Sequence, residues 1–334
     1  MKSEDMILKA AIVHILDSSV GIPVLSDQSM EVGPDFSDFL KAHIEKITES
    51  DDVKHCTFAE GSEVKDLLQN CTPDNFVETS KQLAERLYDI MNANIDIPAA
   101  DVAMTVFGCK GKDYLAFLKM NYKTSYTHQT RETDGGNSNE IILQRALLPG
   151  QRLSEAFVLD LSDGSLILAE KKYEVNGEKC FYFSELFLEC RAPLSQKSKL
   201  DIVTRAVDQV AKKYYGDEDA QKKMEIKDII CNELEEQGEI KVSELREKVF
   251  PGSPEMLEEL DEKLDRYNLS YETVAPKNEQ TIKKFQKQKL YTDTGIEITI
   301  PMEEYRNPDH VDFITNMDGT ISVLIKNIGM LSSK

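Results

Sequence analysis

The chain has no apolar run approaching the length of a bilayer span, which excludes a helical membrane protein. It also lacks the spacings that announce particular chemistries. There is no G-x-x-x-x-G-K-S/T and no G-x-G-x-x-G, and Gly108-Cys109-Lys110-Gly111-Lys112 misses the P-loop spacing, so nucleotide binding has no support. The five histidines (His14, His43, His55, His128 and His310) form neither an i, i+4 pair nor H-E-x-x-H, so no metal site is expected. None of the six cysteines (Cys56, Cys71, Cys109, Cys180, Cys190 and Cys231) forms a Cys-x-x-Cys pair. Spread thinly through so long a chain, they read as reduced, mostly packing thiols of a cytoplasmic protein rather than a secreted disulfide framework. No internal repeat, low-complexity tract or cofactor motif is present.

What is present is an ordinary globular composition, 40% apolar and 30% charged, over 334 residues, enough for two or three domains. The start is polar and acidic, and Ala10 to Leu16, interrupted by His14 and ended by Asp17, reads as a strand rather than a secretory leader. The formal net charge is −20. At long range that repels nucleic acid and membrane surfaces alike. Any DNA role must rest on local basic surface, which screening permits, since charges farther apart than roughly 8 Å are largely hidden at physiological salt.

Periodicity predicts an α+β fold: a mixed domain over 1–192 with a mainly antiparallel sheet and flanking helices, and a smaller helical domain over 193–334 closed by β-strands. Strands are expected over Met6 to Leu16 and Gly21 to Val32, joined through Asp17-Ser18-Ser19, and a helix over Asp35 to Thr48. A small helix passes through Val64, Leu67 and Leu68, and a longer one starts at Thr72-Pro73 and runs to about Ala93. Val102 to Gly108 and Tyr114 to Tyr122 flank a hairpin turn. Glu140 to Leu148, Glu155 to Leu161, Ser165 to Tyr173 and Lys179 to Leu188 read as further strands, turning at Pro149-Gly150, Asp163-Gly164 and Asn176-Gly177. Thr124 to Asn139 reads as a polar, mobile insertion. Helices follow over Ser198 to Tyr214, Gln221 to Glu236, Val242 to Val249 and Pro254 to Tyr267, with Asp217-Glu218-Asp219 as a linker or an acidic helix start.

The last forty residues carry the most information. Ile296, Ile298 and Ile300 alternate with Glu297 and Thr299, Pro301 stops the strand, and Tyr305-Arg306-Asn307-Pro308 forms a loop. Val311 to Thr315 and Thr320 to Lys326 then flank Asn316-Met317-Asp318-Gly319, a strong hairpin signal. With the opening strand Ala10 to Leu16, the segment Phe58-Ala59-Glu60-Gly61-Ser62-Glu63 and the block Phe181 to Leu188, this order of parts resembles the bacterial nucleoid-associated protein family over nearly the whole chain. The resemblance implies a cytoplasmic protein located at the nucleoid, without an enzymatic motif, and fixes no residue-level DNA site.

The residues themselves offer two basic sets. Lys277, Lys283, Lys284, Lys287 and Lys289 face a lone Glu279. If their segment is helical, Lys283, Lys284 and Lys287 share a face that suits a phosphate backbone, the bland reading being a solvated helix face. Lys110, Lys112, Lys119, Lys123 and Arg131 interleave with Tyr114, Tyr122 and Tyr126, a pattern able to stack bases, although Lys110 and Lys112 are more simply turn residues. The helices from Gln221 to Tyr267 have a winged-helix outline, but Pro254 to Tyr267 carries six acids against Lys263 and Arg266 and is a poor groove reader. His55-Cys56 is adjacent in sequence, where catalytic pairs rarely meet; Asp309-His310 reads as local hydrogen bonding; Glu258-Glu259 and Glu303-Glu304 are ordinary in so acidic a chain. The expectation is therefore a non-enzymatic protein that binds DNA weakly through phosphates. The alternative is an acidic scaffold docking onto other nucleoid proteins without touching DNA. Strands at both ends leave edges that a second copy could cover as a homodimer.

Overall fold

Strands with two buried faces need apolar residues at every position, and three stretches of this chain have them. The computed structural model describes residues 1–17, 21–147, 150–216 and 219–332, in two units, Met1–Leu194 and Ser195–Lys334. The first unit contains β1 (Met6–Leu16), α1 (Pro34–Thr48), β2 (Lys54–Phe58), α2 (Glu63–Gln69), α3 (Phe76–Ala93), β3 (Ala100–Cys109), β4 (Lys112–Asn121), β5 (Lys123–Thr133), β6 (Gly136–Ala146), β7 (Glu155–Asp160), β8 (Leu166–Ala169), β9 (Tyr173–Val175), β10 (Glu178–Cys180) and β11 (Cys190–Arg191). Seven strands form one sheet in the order β1-β3-β4-β7-β8-β2-β11, every neighbouring pair antiparallel. The fold is α+β.

Both faces of that sheet are covered. Val102 and Met104 of β3, Leu115 and Phe117 of β4, and Phe157 and Leu159 of β7 point into one core with α2 and α3, where Leu83, Leu87 and Met91 supply the helical stripe. The alternate residues Ala103, Ala116, Leu118, Ala156 and Val158 point into a second core under α1, against Leu40, Ile44 and Ile47. Proline at the first turn starts α1, and the Ser62 hydroxyl caps α2 by accepting the Lys65 N–H at 3.2 Å. The β3–β4 turn places Lys110 and Gly111 at φ 49° and 81°, the left-handed pair that a two-residue hairpin needs.

Four local expectations are corrected. Over 21–32 Val24 bridges Ile15 and the Met30 N–H donates to Ala11 O at 2.9 Å, but no strand forms, because Pro23 lacks an N–H and the Ser26 N–H goes to His14 rather than to a ladder. The expected joining residues Ser18 and Ser19, like Leu148, Pro149, Asp217 and Glu218, lie outside the described residues. The long helix begins at Phe76, since Asn75 Oδ1 accepts the Thr72 N–H at 2.6 Å and closes a turn first. Thr124 to Asn139 is no loop: it belongs to β5 and β6, which pair over eleven positions around Asp134-Gly135 and, among the described residues, join no other strand. Finally, Phe183–Phe187 is a wide helical turn, not a strand. Tyr182, Phe183, Phe187 and Leu188 are all buried, and the Leu188 N–H donates to Phe183 O at 3.0 Å. Adjacent buried residues repeated five positions on fit such a turn and not alternation. The turn packs its rings, tilted, against Phe117 and Phe157, with Phe183 and Phe187 centroids 4.9 Å apart.

The second unit contains α4 (Gln196–Tyr215), α5 (Ala220–Asn232), β12 (Ile240–Lys241), α6 (Val242–Val249), α7 (Pro254–Asp265), β13 (Thr273–Val274), α8 (Glu279–Lys283), β14 (Lys287–Tyr291), β15 (Glu297–Pro301), α9 (Met302–Tyr305), β16 (Val311–Thr315) and β17 (Ile321–Ile325). Ser195 and Asp219 cap α4 and α5 with side-chain oxygens, and Gly216 at φ 83° ends α4. The C-terminal strands form two separate hairpins, β14–β15 and β16–β17. They pack on α5 through Met224, Cys231 and Met302, joined by Phe285, Leu290 and Phe313. Arg306, just past α9, donates to Asp228 at 2.5 Å and to Glu235 at 2.9 Å and fastens this block to α5.

Candidate nucleic-acid interface

Two helix faces in the second unit bring like charges together. On α4, Thr204, Asp208 and Lys212 follow at i, i+4 spacing and share a face; on α5, Lys223, Lys227 and Ile230, at i, i+4 and i+7, also share one. These faces line one open cavity of about 440 Å³, completed by Lys284, Phe285 and Gln288 from the segment between α8 and β14. Among the described lining residues, Lys212, Lys223, Lys227 and Lys284 meet the carboxylate of Asp208 beside Ile230 and Phe285. Lys227 is the organising member. Its Nζ donates to Lys287 O at 2.6 Å and to Gln288 Oε1 at 2.7 Å, which ties the start of β14 to α5. Burial holds the Lys227 ammonium below its ordinary pKa, while Cys231 and Asp208 act in the opposite direction.

The predicted basic run is not one helix. Only Glu279–Lys283 is helical, and Lys287–Tyr291 is a strand, so Lys283, Lys284 and Lys287 do not form a helical row. The Phe285 N–H donates to Ile282 O and ends the helix there, while Met302 N donates to Gln286 O and starts the hairpin. All five lysines of the run are exposed, with different surroundings. Lys283 pairs with Glu279 at 2.9 Å and Lys289 with Glu297 at 2.6 Å. Lys284 opens on the cavity. Lys287 and Lys289 project from one face of β14, and Lys277 lies between β13 and α8.

The other set does not converge. At the β3–β4 turn, Lys110 faces Asp5 at 3.2 Å, and Lys112 reaches Asp160 at 2.7 Å and Asp163 at 3.7 Å. Those partners hold the Lys112 ammonium above its usual range, the hydrogen bond to Asp160 leading. Lys119 is fully buried opposite Glu155, donating to Asn121 Oδ1 at 2.5 Å and Pro98 O at 3.2 Å, so it presents nothing to a ligand. Arg131 pairs with Glu140 at 3.3 Å. Tyr114 stacks on Phe107 and Tyr122 donates to Asp101 at 2.6 Å, which leaves Tyr126 alone as an exposed ring of the set.

The remaining chemistry is quiet. His55 and Cys56 point to opposite faces of β2, His55 exposed and Cys56 buried. The hydrogen bond that the Cys56 S–H donates to Cys190, with burial, pushes the Cys56 thiol far above its usual pKa, the reverse of what a nucleophile needs. His310 Nδ1 meets Glu304 Oε2 at 2.5 Å, not its neighbour Asp309. Among the described residues no group of His, Cys, Asp or Glu is arranged to hold a metal, and no helix is long and apolar enough to cross a membrane. On α7, Glu255, Glu258 and Glu262 are exposed, and Glu259 takes the Lys213 ammonium at 2.5 Å, so this helix presents an acidic face.

Sequence reasoning missed Lys212, Lys223 and Lys227. The i, i+4 spacing on consecutive helices was visible, but neighbouring Glu225 and Asp228 cancel the charge locally, and only the fold separates them. A family profile described as nucleoid-associated protein YejK matches residues 12–330. No curated protein matches the chain.

Proposed function

We propose, from the premise that this chain belongs to the nucleoid-associated protein family, that it holds DNA by its phosphates through the cationic cavity of its second unit, with little sequence preference and without catalysis. The observation that carries this is the convergence of Lys212, Lys223, Lys227 and Lys284 on one opening. Phosphate contact supplies affinity without base readout, and the acidic α7 makes a poor groove reader.

Four phosphate contacts correspond to a salt slope of about −3.6. Fluorescence anisotropy with a random-sequence duplex therefore tests the proposal. Affinity should fall roughly 150-fold between about 50 and 200 mM salt. Replacing Lys223 and Lys284 with glutamine should halve the slope and reduce the same drop to about twelvefold. No binding at the lowest salt, or equal slopes for both proteins, refutes it.

One observation favours a second reading, the row of exposed glutamates on α7. Such a face suits a basic protein partner of the nucleoid, with no DNA contact. Recovery of basic nucleoid proteins after nuclease treatment, lost on charge reversal at Glu255, Glu258 and Glu262, would select this scaffold role.

A further inference from the structure

The cavity of the second unit is shaped for less than a duplex. Its volume of about 440 Å³ lies within the range of small-molecule sites, about 300–1,000 Å³. A hollow of that volume is roughly 8 Å across, narrower than the ~12 Å of a duplex's major groove alone, so paired bases stay outside and only backbone reaches the lysines. The lining is also richer than phosphate contact requires. Ile230 is 3% exposed, and Phe285 is half-buried. Phe285 packs against Met224, Cys231 and Met302, which fix the ring while part of it lines the cavity. Apolar surface among ammonium groups gives nothing to a phosphate, but it suits the π-face of a base. The polar side chains between are already engaged. Gln288 Oε1 accepts from Lys227 at 2.7 Å while Gln288 Nε2 donates to Lys289 O at 3.1 Å, and the Thr204 hydroxyl donates to Leu200 O at 2.8 Å. Asp208 lies in the field of Lys227 and Lys223. The cavity therefore offers stacking and charge, with little to read a base edge.

We infer that it takes an unpaired nucleotide of single-stranded DNA, with the base against Phe285 and Ile230 and the flanking phosphates on Lys212, Lys223, Lys227 and Lys284. This rests on the proposed phosphate contact and adds the base to it. The lysines come from α4, α5 and the segment after α8, three stretches of chain around one opening, so a strand can set a phosphate on either side of an inserted base. Phosphate contact alone favours the duplex, whose charge is denser: each contact is worth about 0.9 of a released counterion on a duplex and about 0.7 on a single strand. A preference for single strands must then come from the base. Drawing a base out of a duplex costs its unstacking and unpairing, which a single strand is largely spared.

The full chain, titrated by fluorescence anisotropy with a mixed-sequence single strand and with a blunt duplex of the same length at one salt concentration, tests the inference. The single strand should bind about 5- to 150-fold more tightly, the worth of one stacked base. Phe285→Leu keeps an apolar side chain on the core and should lower single-strand affinity about fivefold or more, with duplex affinity unchanged. Phe285→Tyr keeps the ring and should bind as wild type does. Irradiating the wild-type protein with a single strand carrying 5-iodouracil should join that strand to Phe285, which mass spectrometry of the digest locates without any variant having to fold. Firm duplex binding with no preference for the single strand, a leucine variant that keeps the preference, or an adduct away from the cavity overturns the inference and leaves the phosphate reading standing. Failure to bind either DNA refutes both. Displacement of the strand by free deoxynucleoside monophosphate at equal nucleotide concentration gives the cavity to a soluble nucleotide and overturns the strand assignment.

Discussion

His14 makes the first unit sensitive to mild acid. It sits in β1, fully buried, and its imidazole is held from both sides. The Ser26 N–H donates to Nδ1 at 3.1 Å, and Nε2 lies 2.9 Å from Ser80 Oγ. Ser80 spends its own proton on Val77 O at 2.6 Å, so Nε2 must be the donor to Ser80. The neutral Nε2–H tautomer satisfies every partner, whereas a proton added at Nδ1 would oppose the Ser26 N–H. Burial, with a smaller contribution from Lys81, lowers the pKa from 6.5 to about 4.

A folded pKa below the unfolded one means that the unfolded chain binds the proton more readily between those values. Stability is then complete above pH 6.5, falls as pH drops through the window to 4, and changes no further below it on this group's account. At pH 5 the loss is about 2 kcal/mol, worth roughly 4–8 °C in melting temperature for a unit of this size. His43, buried with a depressed pKa, shifts stability in the same direction, so a His14→Gln variant is needed to separate the two. Urea unfolding near pH 7.5 and pH 5, followed by circular dichroism, should show about 2 kcal/mol more loss for wild type than for the variant. Nitrogen-15 spectra should show His14 as the neutral Nε2–H form at pH 6. An imidazole titrating near its ordinary value, or equal acid losses for both proteins, refutes the reasoning.

The buried pair Lys119–Glu155 should respond oppositely to single and double replacement. Lys119→Met alone leaves a buried carboxylate and should cost about 3–5 kcal/mol, whereas Lys119→Met/Glu155→Leu should recover most of that loss in chemical denaturation. In the second unit, Arg306→Ala should cost about 1 kcal/mol, because its bridges to Asp228 and Glu235 are partly exposed. That cost should shrink in high salt, as thermal melts at two ionic strengths would show.

The architecture was legible where apolar spacing alone decides it. The continuous apolar runs of β3, β4 and β7 and the stripes of α1, α3 and α4 can be read directly, because burial on both sheet faces or on one helix face imposes them. The β16–β17 hairpin announced itself through Asp318-Gly319. Legibility failed where the deciding partner is distant in sequence. Ser26 turns away from a ladder because His14 takes its N–H. Phe183 and Phe187 curl into a turn because Phe117 and Phe157 offer a ring pocket. Thr124 to Asn139 looked like a polar loop because neither face of the β5–β6 ribbon meets the core, which removes the alternation by which a strand is recognised, although its threonines and Tyr126 favour extended backbone; only the Glu140 to Ala146 part read as a strand.

The cationic site failed to show in the sequence for an electrostatic version of the same reason. A window along the chain averages the charges of neighbours, whereas a helix sends neighbours to different sides. Lys223 and Lys227 face the cavity while Asp228, one residue on, turns to Arg306. Conversely, the run from Lys277 to Lys289 looks concentrated in sequence and is divided by the fold, since Lys283 and Lys289 meet Glu279 and Glu297. What a polyanion would encounter is set by which ammonium groups share an opening. Screening confines that encounter to within roughly 8 Å, so an acidic molecule can hold DNA at contact while gaining nothing in its approach. On this reading the net charge governs how often the chain meets DNA, and the four lysines govern how long it stays.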